Sequence, residues 1–400
     1  MSVSSLATGM SRRPHPAVRR VSIFGSTGSI GVNTLDLIAG AADKFAVEVL
    51  SANENVALLA EQALKFGARL AVIGNPSKYA ELKALLAGST VVAAAGTEAL
   101  VEAAGRPVDW VMLGIVGAAG LAPTLAAVRT GAVVAIANKE ALVCGGDLLL
   151  ADVKKYGATL LPVDSEHNAI FQVFDFDQVD RVRRLILTAS GGPFLGFTLE
   201  EMRHVTCDQA LNHPNWDMGA KISIDSATMM NKGLEFIEAV RLFPVPARNI
   251  DILVHPQSVI HSMVEYEDGS VLAQMGAPDM RTPISYTLGW PERHSFPAER
   301  LDLARIATLS FEAPDPVRFP ALRLAREALG AGKSAPTVLN AANEVAVHGF
   351  LTGRIGFLDI AAVVEECLQR SDFVEQISIE DIFECDRKSR ELAHSCMAKF

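Results

Sequence analysis

Short runs of aliphatic and β-branched residues alternate with longer Ala- and Leu-rich stretches in the N-terminal part of the chain. The longer stretches, such as residues 56–66 and 80–87, have the pattern of helices. The short runs predict strands at residues 21–24, 47–51, 70–74, 90–93, 109–113 and 132–137. Because strands that alternate with helices usually pair in parallel, this order predicts an α/β fold with a doubly wound sheet.

The pattern changes near residue 160, after which strands and helices no longer alternate regularly. Strands are predicted at residues 160–163 and 185–187, and residues 198–219 are predicted to be irregular. Residues 254–275 predict a β-hairpin that turns at Asp268-Gly269, with apolar arms at residues 258–266 and 270–274. A proline-rich linker then leads into a segment with a helical pattern. We therefore predict a central α+β domain and a C-terminal helical domain.

The domain boundaries follow from these changes, because a chain of 400 residues usually forms more than one hydrophobic core. Residues 1–20 contain Arg, Ser and Pro without a long apolar run, which predicts a disordered tail and not a secretory signal. The doubly wound domain is predicted at residues 21–160, the central domain at 161–310 and the helical domain at 311–400.

Charge and cysteine content argue against several classes of protein. The net charge of −10 and the lack of a basic stripe argue against a nucleic-acid partner. No apolar run reaches the roughly 20 residues that a membrane span requires. The five cysteines are scattered, without a Cys-x-x-Cys pair. This favours reduced thiols in a cytoplasmic protein over a disulfide framework or a zinc site.

A glycine-rich loop follows the first predicted strand and opens a helix. Gly25, Gly28 and Gly31 lie three residues apart. Gly25 permits a tight turn, Gly28 lets the backbone approach a pyrophosphate, and Gly31 allows a helix to pack closely on a strand. The first turn of the helix supplies free N–H groups and the positive end of the dipole. The loop predicts a Rossmann-like dinucleotide site, with a plain strand–helix turn as the alternative.

The residues after the second strand leave the choice between NAD and NADP open. An NAD enzyme usually carries an acid at the end of this strand, where it binds the ribose 2′-hydroxyl. Here Asn53, Glu54 and Asn55 follow the strand. No acid lies at the tip itself, yet no Arg or Lys is present for a 2′-phosphate, and Glu54 opposes one.

Two acids lie close together after a strand in the middle of the chain. Asp164 and Glu166 are two residues apart. At the C-terminal end of a strand, the period of two directs both carboxylates to the same side, which suits a divalent cation with oxygen ligands. A solvated strand end or a helix cap explains the two acids equally well.

A third acid strengthens the metal hypothesis. Asn231 and Glu235 share one face of a predicted helix, and Lys232 lies beside them. Asn231 and Lys232 could hold a phosphate while Glu235 completes a metal site. The alternative is a helix capped by Asp225 or Ser226 that carries a routine Lys–Glu pair. Oxygen ligands without a Cys or His cluster favour Mg²⁺ or Mn²⁺ over Zn²⁺.

Nine motifs, several of them long and chemically unusual, are spread over nearly the whole chain. They are GSTGSIG at residues 25–31, ANKEALV at 137–143, VDSEHNAIFQ at 163–172, TASGGPF at 188–194, HPNWDMG at 213–219, KISIDSATMMNKGLEFIEA at 221–239, HPQSVIHSMVEY at 255–266, MRTPI at 280–284 and NAANEVAV at 340–347. In this order they resemble the 1-deoxy-D-xylulose 5-phosphate reductoisomerase family.

The resemblance implies a reaction and its requirements. Family members convert 1-deoxy-D-xylulose 5-phosphate into 2-C-methyl-D-erythritol 4-phosphate in non-mevalonate isoprenoid synthesis. It implies NADPH, a divalent cation (Mg²⁺, Mn²⁺ or Co²⁺), a small sugar-phosphate substrate and a cytoplasmic homodimer. It also implies that residues 21–160 bind NADPH, and that residues 161–310 bind metal, carry out catalysis and dimerise.

Motif matches carry the family's functional residues onto this chain. The matches imply a catalytic set of Lys139, Asp164, Glu166 and Glu235, of which the three acids bind metal. Implied substrate contacts are Ser165, Glu166, Ser190, His213, Ser226, Asn231, Lys232 and Glu235. Implied NADPH contacts are Thr27, Gly28, Ser29, Ile30, Asn55, Asn138, Glu140 and Gly219.

The stretch from Gly191 to Gly219 is predicted to be a lid, because glycines near both ends permit hinge motion. Trp216 would then cover the site and exclude water. The alternatives are an ordinary packed aromatic for Trp216 and a structural role for His213.

One departure from the family's pattern concerns the cofactor. Members often carry a Gly-Lys-Asn type of turn where this chain has Asn53-Glu54-Asn55. Without the lysine, the sequence does not fix a preference for NADPH over NADH. Two other functions stay open, namely another NAD(P)-dependent dehydrogenase of similar fold, such as one for an amino-acid semialdehyde, and a non-catalytic dinucleotide sensor.

Overall fold

The structure, a computed structural model, describes residues 16, 18–216 and 218–400. Most of the tail predicted at residues 1–20 lies outside the described residues, but Arg19 and Arg20 already belong to the first strand. Contacts divide the chain into two units. The first consists of the residues up to Ala141 together with Leu149–Asn168 and Asp279–Glu299, and the second of Leu142–Leu148, Ala169–Pro278 and Arg300–Phe400. The predicted three-domain division stays a prediction.

The first unit contains a seven-stranded parallel sheet. Its strands are β1 (Arg19–Phe24), β2 (Phe45–Ala52), β3 (Leu70–Ile73), β4 (Val92–Ala95), β5 (Trp110–Leu113), β6 (Val133–Ile136) and β7 (Thr159–Pro162). Their order in the sheet is β4-β3-β2-β1-β5-β6-β7. The order reverses direction between β1 and β5, and ligands of doubly wound sheets bind at such a switch point. The predicted α/β fold is confirmed.

Seventeen α-helices occur among the described residues. They are α1 (Ser29–Ala39), α2 (Val56–Lys65), α3 (Tyr79–Leu85), α4 (Thr97–Ala104), α5 (Leu121–Val128), α6 (Lys139–Tyr156), α7 (Ser165–Val173), α8 (Leu199–Met202), α9 (Cys207–Leu211), α10 (Ala220–Ala227), α11 (Met230–Leu242), α12 (Arg281–Gly289), α13 (Leu303–Ile306), α14 (Ala321–Ala331), α15 (Ala335–Leu351), α16 (Asp359–Arg370) and α17 (Ile379–Met397). None of them is long and apolar enough to cross a membrane.

Several strands in the first unit's sheet are buried and apolar, whereas the edge strand β4 is partly exposed. The residues of β3 and β5 are all buried, as parallel strands covered on both faces require. Helix α12 packs against this core through Ile284 and Leu288. Its last turn is also fixed by two hydrogen bonds, because Arg19 donates to the carbonyl of Leu288 at 2.6 Å and the Trp110 indole donates to that of Thr287 at 3.0 Å.

The second unit contains a four-stranded sheet of order β11-β10-β8-β9. Its strands are β8 (Val182–Ala189), β9 (Ile250–Val254), β10 (Ile260–Tyr266) and β11 (Val271–Met275). The predicted hairpin is confirmed in β10 and β11, which pair antiparallel across a turn where Gly269 has a φ of +86°. The predicted arms agree closely with these strands, but the range predicted for the whole hairpin began too early, because residue 254 ends β9, which pairs parallel with β8.

The predicted helical pattern of the last segment is confirmed by α14 to α17. Helix α14 packs closely on α11, since a Cβ added to Gly233 would lie 2.9 Å from the Cβ of Ala325. The irregularity predicted for residues 198–219 was wrong for α8 and α9. Thr198 and Thr206 begin these short helices with complete capping boxes, which stabilise helices too short to show a hydrophobic period.

Candidate active site

The glycine loop after β1 is shaped by contacts between backbone segments. Gly25 has a φ of +86°, and a Cβ on it would lie 2.7 Å from the carbonyl oxygen of Gly114 in the loop after β5. A Cβ on Gly31 would lie 2.3 Å from the carbonyl oxygen of Gly25. The tight turn predicted for Gly25 is therefore confirmed. The close approach at Gly31 is to the loop itself and not to a strand, which corrects the prediction.

Gly28 and Ser29 form an exposed start of helix α1, between the half-buried Thr27 and Ile30. Gly28 is the N-cap, and no side chain caps this helix. A Cβ on Gly28 would meet only the Gly25 oxygen, at an ordinary contact distance of 3.5 Å. Packing within the unit therefore does not require glycine at position 28. An uncapped helix N-terminus with an open approach is suited to an anion.

The segment after β2 is held by side chains from two loops. Asn55 is the N-cap of α2, and its Oδ1 accepts a hydrogen bond from the amide of Leu58 at 3.2 Å. Both carboxylate oxygens of Glu54 accept from the Nδ2 of Asn75, at 2.9 and 3.1 Å. Asn75 follows β3, so this pair links the carboxyl ends of two neighbouring strands. All three side chains are on exposed or half-buried positions of this edge.

Asn138 joins two loops at the carboxyl end of the sheet. Its Oδ1 accepts from the amide of Ala141 at 2.7 Å and so caps α6. Its Nδ2 donates to the carbonyls of Ile115 and Gly117 and to Glu140, the last at 3.1 Å. The buried Asn138 thereby ties the loop after β5 to the start of α6.

Asp164 is also a helix cap. Strand β7 ends at Pro162 and α7 begins at Ser165, so the strand period does not extend to Glu166 and that prediction was wrong. Asp164 Oδ1 accepts from the amides of Glu166 and His167, at 3.2 and 3.4 Å. The helix cap and a ligand role are compatible, because Asp164 Oδ2 lies on the other side, 3.1 Å from the Lys139 ammonium.

Glu166 lies in the first turn of α7, where the hydroxyl of Ser165 donates to its Oε2 at 2.6 Å. The fully buried imidazole of His167 lies 3.3 Å from Asp164 Oδ1. The first unit thus brings the predicted residues of its four loops to the carboxyl edge of one sheet. These are Thr27, Gly28, Ser29, Ile30, Asn55, Asn138, Lys139, Glu140, Asp164, Ser165 and Glu166.

In the second unit, Ser190 follows β8 and pairs with His213. Ser190 Oγ lies 2.8 Å from Nε2 of His213 and accepts from the amide of Gly192 at 3.2 Å. The Nδ1 of His213 accepts from two backbone amides, those of Asn215 at 3.2 Å and Trp216 at 3.0 Å. An Nδ1 that accepts two hydrogen bonds carries no proton, so Nε2 carries one and donates to Ser190.

This arrangement determines what Ser190 can bind. Its oxygen already accepts from His213 and Gly192, so its own hydrogen is left to be donated to an acceptor such as a phosphate oxygen. Burial lowers the pKa of His213, which favours the neutral imidazole that this network requires. With His213 neutral, the hydroxyl of Ser190 can therefore donate a hydrogen bond to an anion.

The segment that carries Trp216 is anchored to the turn between β9 and β10. The Nδ2 of Asn215 donates to the carbonyl of Pro256 at 2.8 Å and to the Oγ of Ser258 at 3.2 Å. The half-buried indole of Trp216 lies 6.0 Å from the imidazole of His261, between ring centroids. Sequence reasoning missed Asn215, because a single Asn in a loop gives no sign of its partners. Gly219 is the exposed N-cap of α10.

The remaining predicted residues lie on α10 and α11. Asp225 and Ser226 belong to the last turn of α10, and Met229, with a φ of 61°, is the N-cap of α11. The alternative of a cap at Asp225 or Ser226 was therefore wrong. Gly192 packs on this turn, since a Cβ on it would lie 2.9 Å from the Ser226 carbonyl oxygen.

Glu235 is fully buried and surrounded by donors. Its Oε1 accepts from the Nδ2 of Asn231 at 2.5 Å, and its Oε2 is paired with the buried ammonium of Lys232. The predicted common face of Asn231 and Glu235 on one helix is therefore present. A buried carboxylate needs such partners to be stable. The carboxylate of Glu235 could also hold a cation, and the donors of Asn231 and Lys232 could hold an anion beside it.

Three family profiles match the chain. They are described as 1-deoxy-D-xylulose 5-phosphate reductoisomerase over residues 21–146, the C-terminal domain of the same enzyme over residues 160–243, and the DXP reductoisomerase C-terminal domain over residues 275–392. A 1-deoxy-D-xylulose 5-phosphate reductoisomerase from Rhodospirillum centenum is 59% identical over 95% of both chains. This chain belongs to the 1-deoxy-D-xylulose 5-phosphate reductoisomerase family.

Other relatives and solved structures agree with this membership. The reductoisomerase of Zymomonas mobilis is 57% identical over 95% of this chain and 98% of its own. A structure of the reductoisomerase from Zymomonas mobilis in complex with NADPH has a TM-score of 0.91 and covers 96% of this chain and all of that one, at 55% identity. A reductoisomerase in complex with NADPH, fosmidomycin and magnesium has a TM-score of 0.91 at 42% identity, and covers 95% and 98% of the two chains.

Proposed function

We propose that this chain is a reductoisomerase that converts 1-deoxy-D-xylulose 5-phosphate into 2-C-methyl-D-erythritol 4-phosphate with NADPH and a divalent cation. This reaction is a step of non-mevalonate isoprenoid biosynthesis. The observation that carries the proposal is the similarity to a reductoisomerase over 95% of the chain. Every predicted site residue lies within residues 21–146 or 160–243, which the family profiles match. The local geometry of each group of residues supports it.

The N-terminus of α1 suits the pyrophosphate of NADPH. It has no side-chain cap, Gly28 and Ser29 are exposed, and it lies beside the switch point of the sheet. When bound, NADPH supplies the hydride for the reduction. The residues proposed to bind it are Thr27, Gly28, Ser29, Ile30, Asn55, Asn138, Glu140 and Gly219.

The donors proposed for the cation are carboxylates, which suit Mg²⁺ or Mn²⁺, with Co²⁺ as a further option. We propose that the carboxylates of Asp164, Glu166 and Glu235 bind one ion. Each unit already balances its acid with an ammonium, Lys139 beside Asp164 and Lys232 beside Glu235. When bound, the cation polarises oxygens of the substrate. Lys139 is proposed to orient Asp164 and to complete the catalytic set.

The substrate phosphate is proposed to bind in the second unit. Ser190 donates its remaining hydrogen, and Lys232 supplies a positive charge that is almost completely buried. His213, Ser226 and Asn231 add further donors. Holding the phosphate fixes the orientation of the sugar, whose other oxygens are proposed to contact Ser165, Glu166 and Glu235. Trp216 is proposed to cover the bound substrate as the lid closes and to exclude water.

The test is consumption of NADPH by the purified protein in the presence of 1-deoxy-D-xylulose 5-phosphate, with the product identified by NMR. We expect turnover that stops with a chelator, returns with Mg²⁺ or Mn²⁺, and is weaker with NADH. Turnover that is insensitive to the chelator, or absent with this sugar phosphate, would refute the proposal.

We also propose a cytoplasmic homodimer. Strand β11 is the edge of its sheet among the described residues, and it exposes nearly half of Val271 and of Leu272. An edge strand with exposed apolar side chains is a surface that a second copy can cover. Light scattering on the purified protein should give the mass of two chains, and a monomer at micromolar concentration would contradict the proposal. Fractionation of cells tests the location.

A further inference from the structure

A buried carboxylate next to the proposed phosphate site is held by a helix from the C-terminal segment. Asp225, in the last turn of α10, is 1% exposed. Its Oδ1 accepts from the Nδ2 of Asn343 on α15 at 2.8 Å, and its Oδ2 lies 2.8 Å from the ammonium of Lys221, one turn earlier on α10. Both oxygens of Asp225 are therefore fixed by charged or amide donors.

The side chain of Asn343 is only partly satisfied. Its Oδ1 is buried and has no hydrogen-bond partner among the described residues, which is unfavourable. An apolar side chain of similar size would avoid this cost but would take one donor away from the buried Asp225 carboxylate. The amide is useful here for the one hydrogen bond that it donates to Asp225.

We infer that Asn343 is a positioning residue for the substrate phosphate, which acts through Asp225 on Ser226. This inference rests on the proposed binding of the phosphate by Ser226. Asp225 and Ser226 are adjacent in the last turn of α10, so anchoring the first fixes the second. The carbonyl of Ser226 accepts from the amide of Met229 at 3.1 Å and borders Gly192, so the same turn also sets the start of α11 and the loop of Ser190.

The inference gives a role to the NAANEVAV motif, which the proposed catalytic machinery does not use. The motif contains two asparagines on one helix, and each donates to a different partner. Asn343 donates to Asp225, whereas Asn340 donates to Glu344 on its own helix at 3.1 Å. Both are fully buried, and the Oδ1 of each has no partner among the described residues. Asn340 is therefore a matched control for Asn343.

The test compares Asn343→Leu with Asn340→Leu in the full-length enzyme. We expect Asn343→Leu to raise KM for 1-deoxy-D-xylulose 5-phosphate about tenfold, as for the loss of one hydrogen bond to a charged group. The dissociation constant of NADPH, measured by fluorescence, should not change. Asn340→Leu should lower the melting temperature as much as Asn343→Leu does, but it should leave KM for this substrate within about twofold of the parent value. If Asn343→Leu does not fold, Asn343→Ser replaces it in the test, because a serine side chain is too short to reach Asp225.

A double-mutant cycle with Ser226→Ala separates the inference from the proposed function. If Asn343 acts through Ser226, Asn343→Leu raises KM much less in the Ser226→Ala background than in the parent. Additive effects, or equal KM changes in the Asn340 and Asn343 variants, would overturn the inference. If Ser226→Ala alone leaves KM unchanged, the proposed phosphate contact of Ser226 has failed instead.

Discussion

The two units hold their candidate site residues in different ways. In the first, Asn55, Asn138 and Asp164 are side-chain caps of α2, α6 and α7, so the residues proposed to bind cofactor or metal also begin helices. In the second, α10 and α11 begin at Gly219 and Met229 without a side-chain cap. There the candidate residues are held by one another.

Because of this difference, a substitution at a candidate site residue should affect stability less in the first unit than in the second. Loss of a helix cap costs about 1 kcal/mol, and Asn, Asp and Ser replace one another in that role. A cap residue of the first unit can therefore be exchanged for another cap residue with little loss of stability. Only at Asp164 does the exchange also remove a charge partner, that of Lys139, and this pair is less buried than that of Lys232 and Glu235. In the second unit, Glu235 and Lys232 are buried and paired, so removal of either leaves the other without its charge partner.

The largest effect is expected from Glu235→Gln in the second unit. The amide keeps the shape but removes the charge that faces Lys232 and the proposed cation. We expect kcat to fall about 10³-fold, as when a group that stabilises transition-state charge is lost. The dissociation constant of NADPH should stay the same, because the proposed cofactor residues are elsewhere. Glu344→Gln is a control for a half-buried carboxylate on another helix, and comparable activity in the two variants would remove Glu235 from the site.

The next largest effect is expected from Asp164→Asn in the first unit. Asn caps a helix as well as Asp does, so the melting temperature should fall only through the loss of the charge beside Lys139, while kcat falls about 100-fold through weakened metal binding. Asp164→Ala should lose the same activity and, in addition, about 1 kcal/mol of stability. If Asn and Ala variants are equally destabilised, Asp164 is not a cap in solution, and the contrast between the units fails.

Lys232→Met should have a somewhat smaller effect, mainly on KM. Met retains the alkyl chain and removes the ammonium, so KM for the sugar phosphate should rise about 30-fold, as for one buried charge-assisted hydrogen bond. Kinetics at varied substrate and, separately, at varied NADPH provide the measurement. An equal rise in KM for both ligands would place Lys232 outside the phosphate site.

The sequence predicted the first unit better than the second, for a physical reason. Strands such as β5 are buried on both faces and therefore appear as unbroken apolar runs. A prediction of the same kind was wrong at Asp164, because it extended the period of a strand across a residue that caps α7. A cap and a strand end look alike in sequence, because both place a polar residue after an apolar run.

In the second unit, the site depends on partners that are distant in sequence. Ser190 and His213 are 23 residues apart, and Asn215 bonds to Pro256, 41 residues away. No local pattern encodes such pairs, so only the resemblance to a known family could single out Ser190 and His213. The short helices α8 and α9 were missed for a related reason, since their capping boxes stabilise helices that have no hydrophobic period.

A smaller, pH-dependent effect is expected at His213. Burial lowers its pKa in the folded protein, whereas in the unfolded chain it takes up a proton near pH 6.5. Below about pH 6.5 the unfolded state therefore binds more protons, so stability falls as the pH drops and does not depend on this group above it. His213→Gln can still donate to Ser190 but does not titrate. We expect its melting temperature to fall by about 1 °C less than that of the parent between pH 7.5 and 5.5. Identical pH profiles would contradict the assigned state of His213.

The smallest effect is expected at the exposed edge of the first unit, where we propose that Glu54 repels the 2′-phosphate of NADPH. Glu54 is exposed and accepts from the half-buried Asn75, so its repulsion is screened by salt and is worth less than about 1 kcal/mol. Glu54→Gln should tighten NADPH about threefold and leave NADH unchanged, because only NADPH carries the extra phosphate. Glu61→Gln, an exposed change on α2, is the control for net charge. The gain in NADPH affinity should shrink with added salt, because salt screens electrostatic effects at an exposed surface. If the gain is insensitive to salt, or if NADH shows it too, Glu54 acts on the shape of the loop instead.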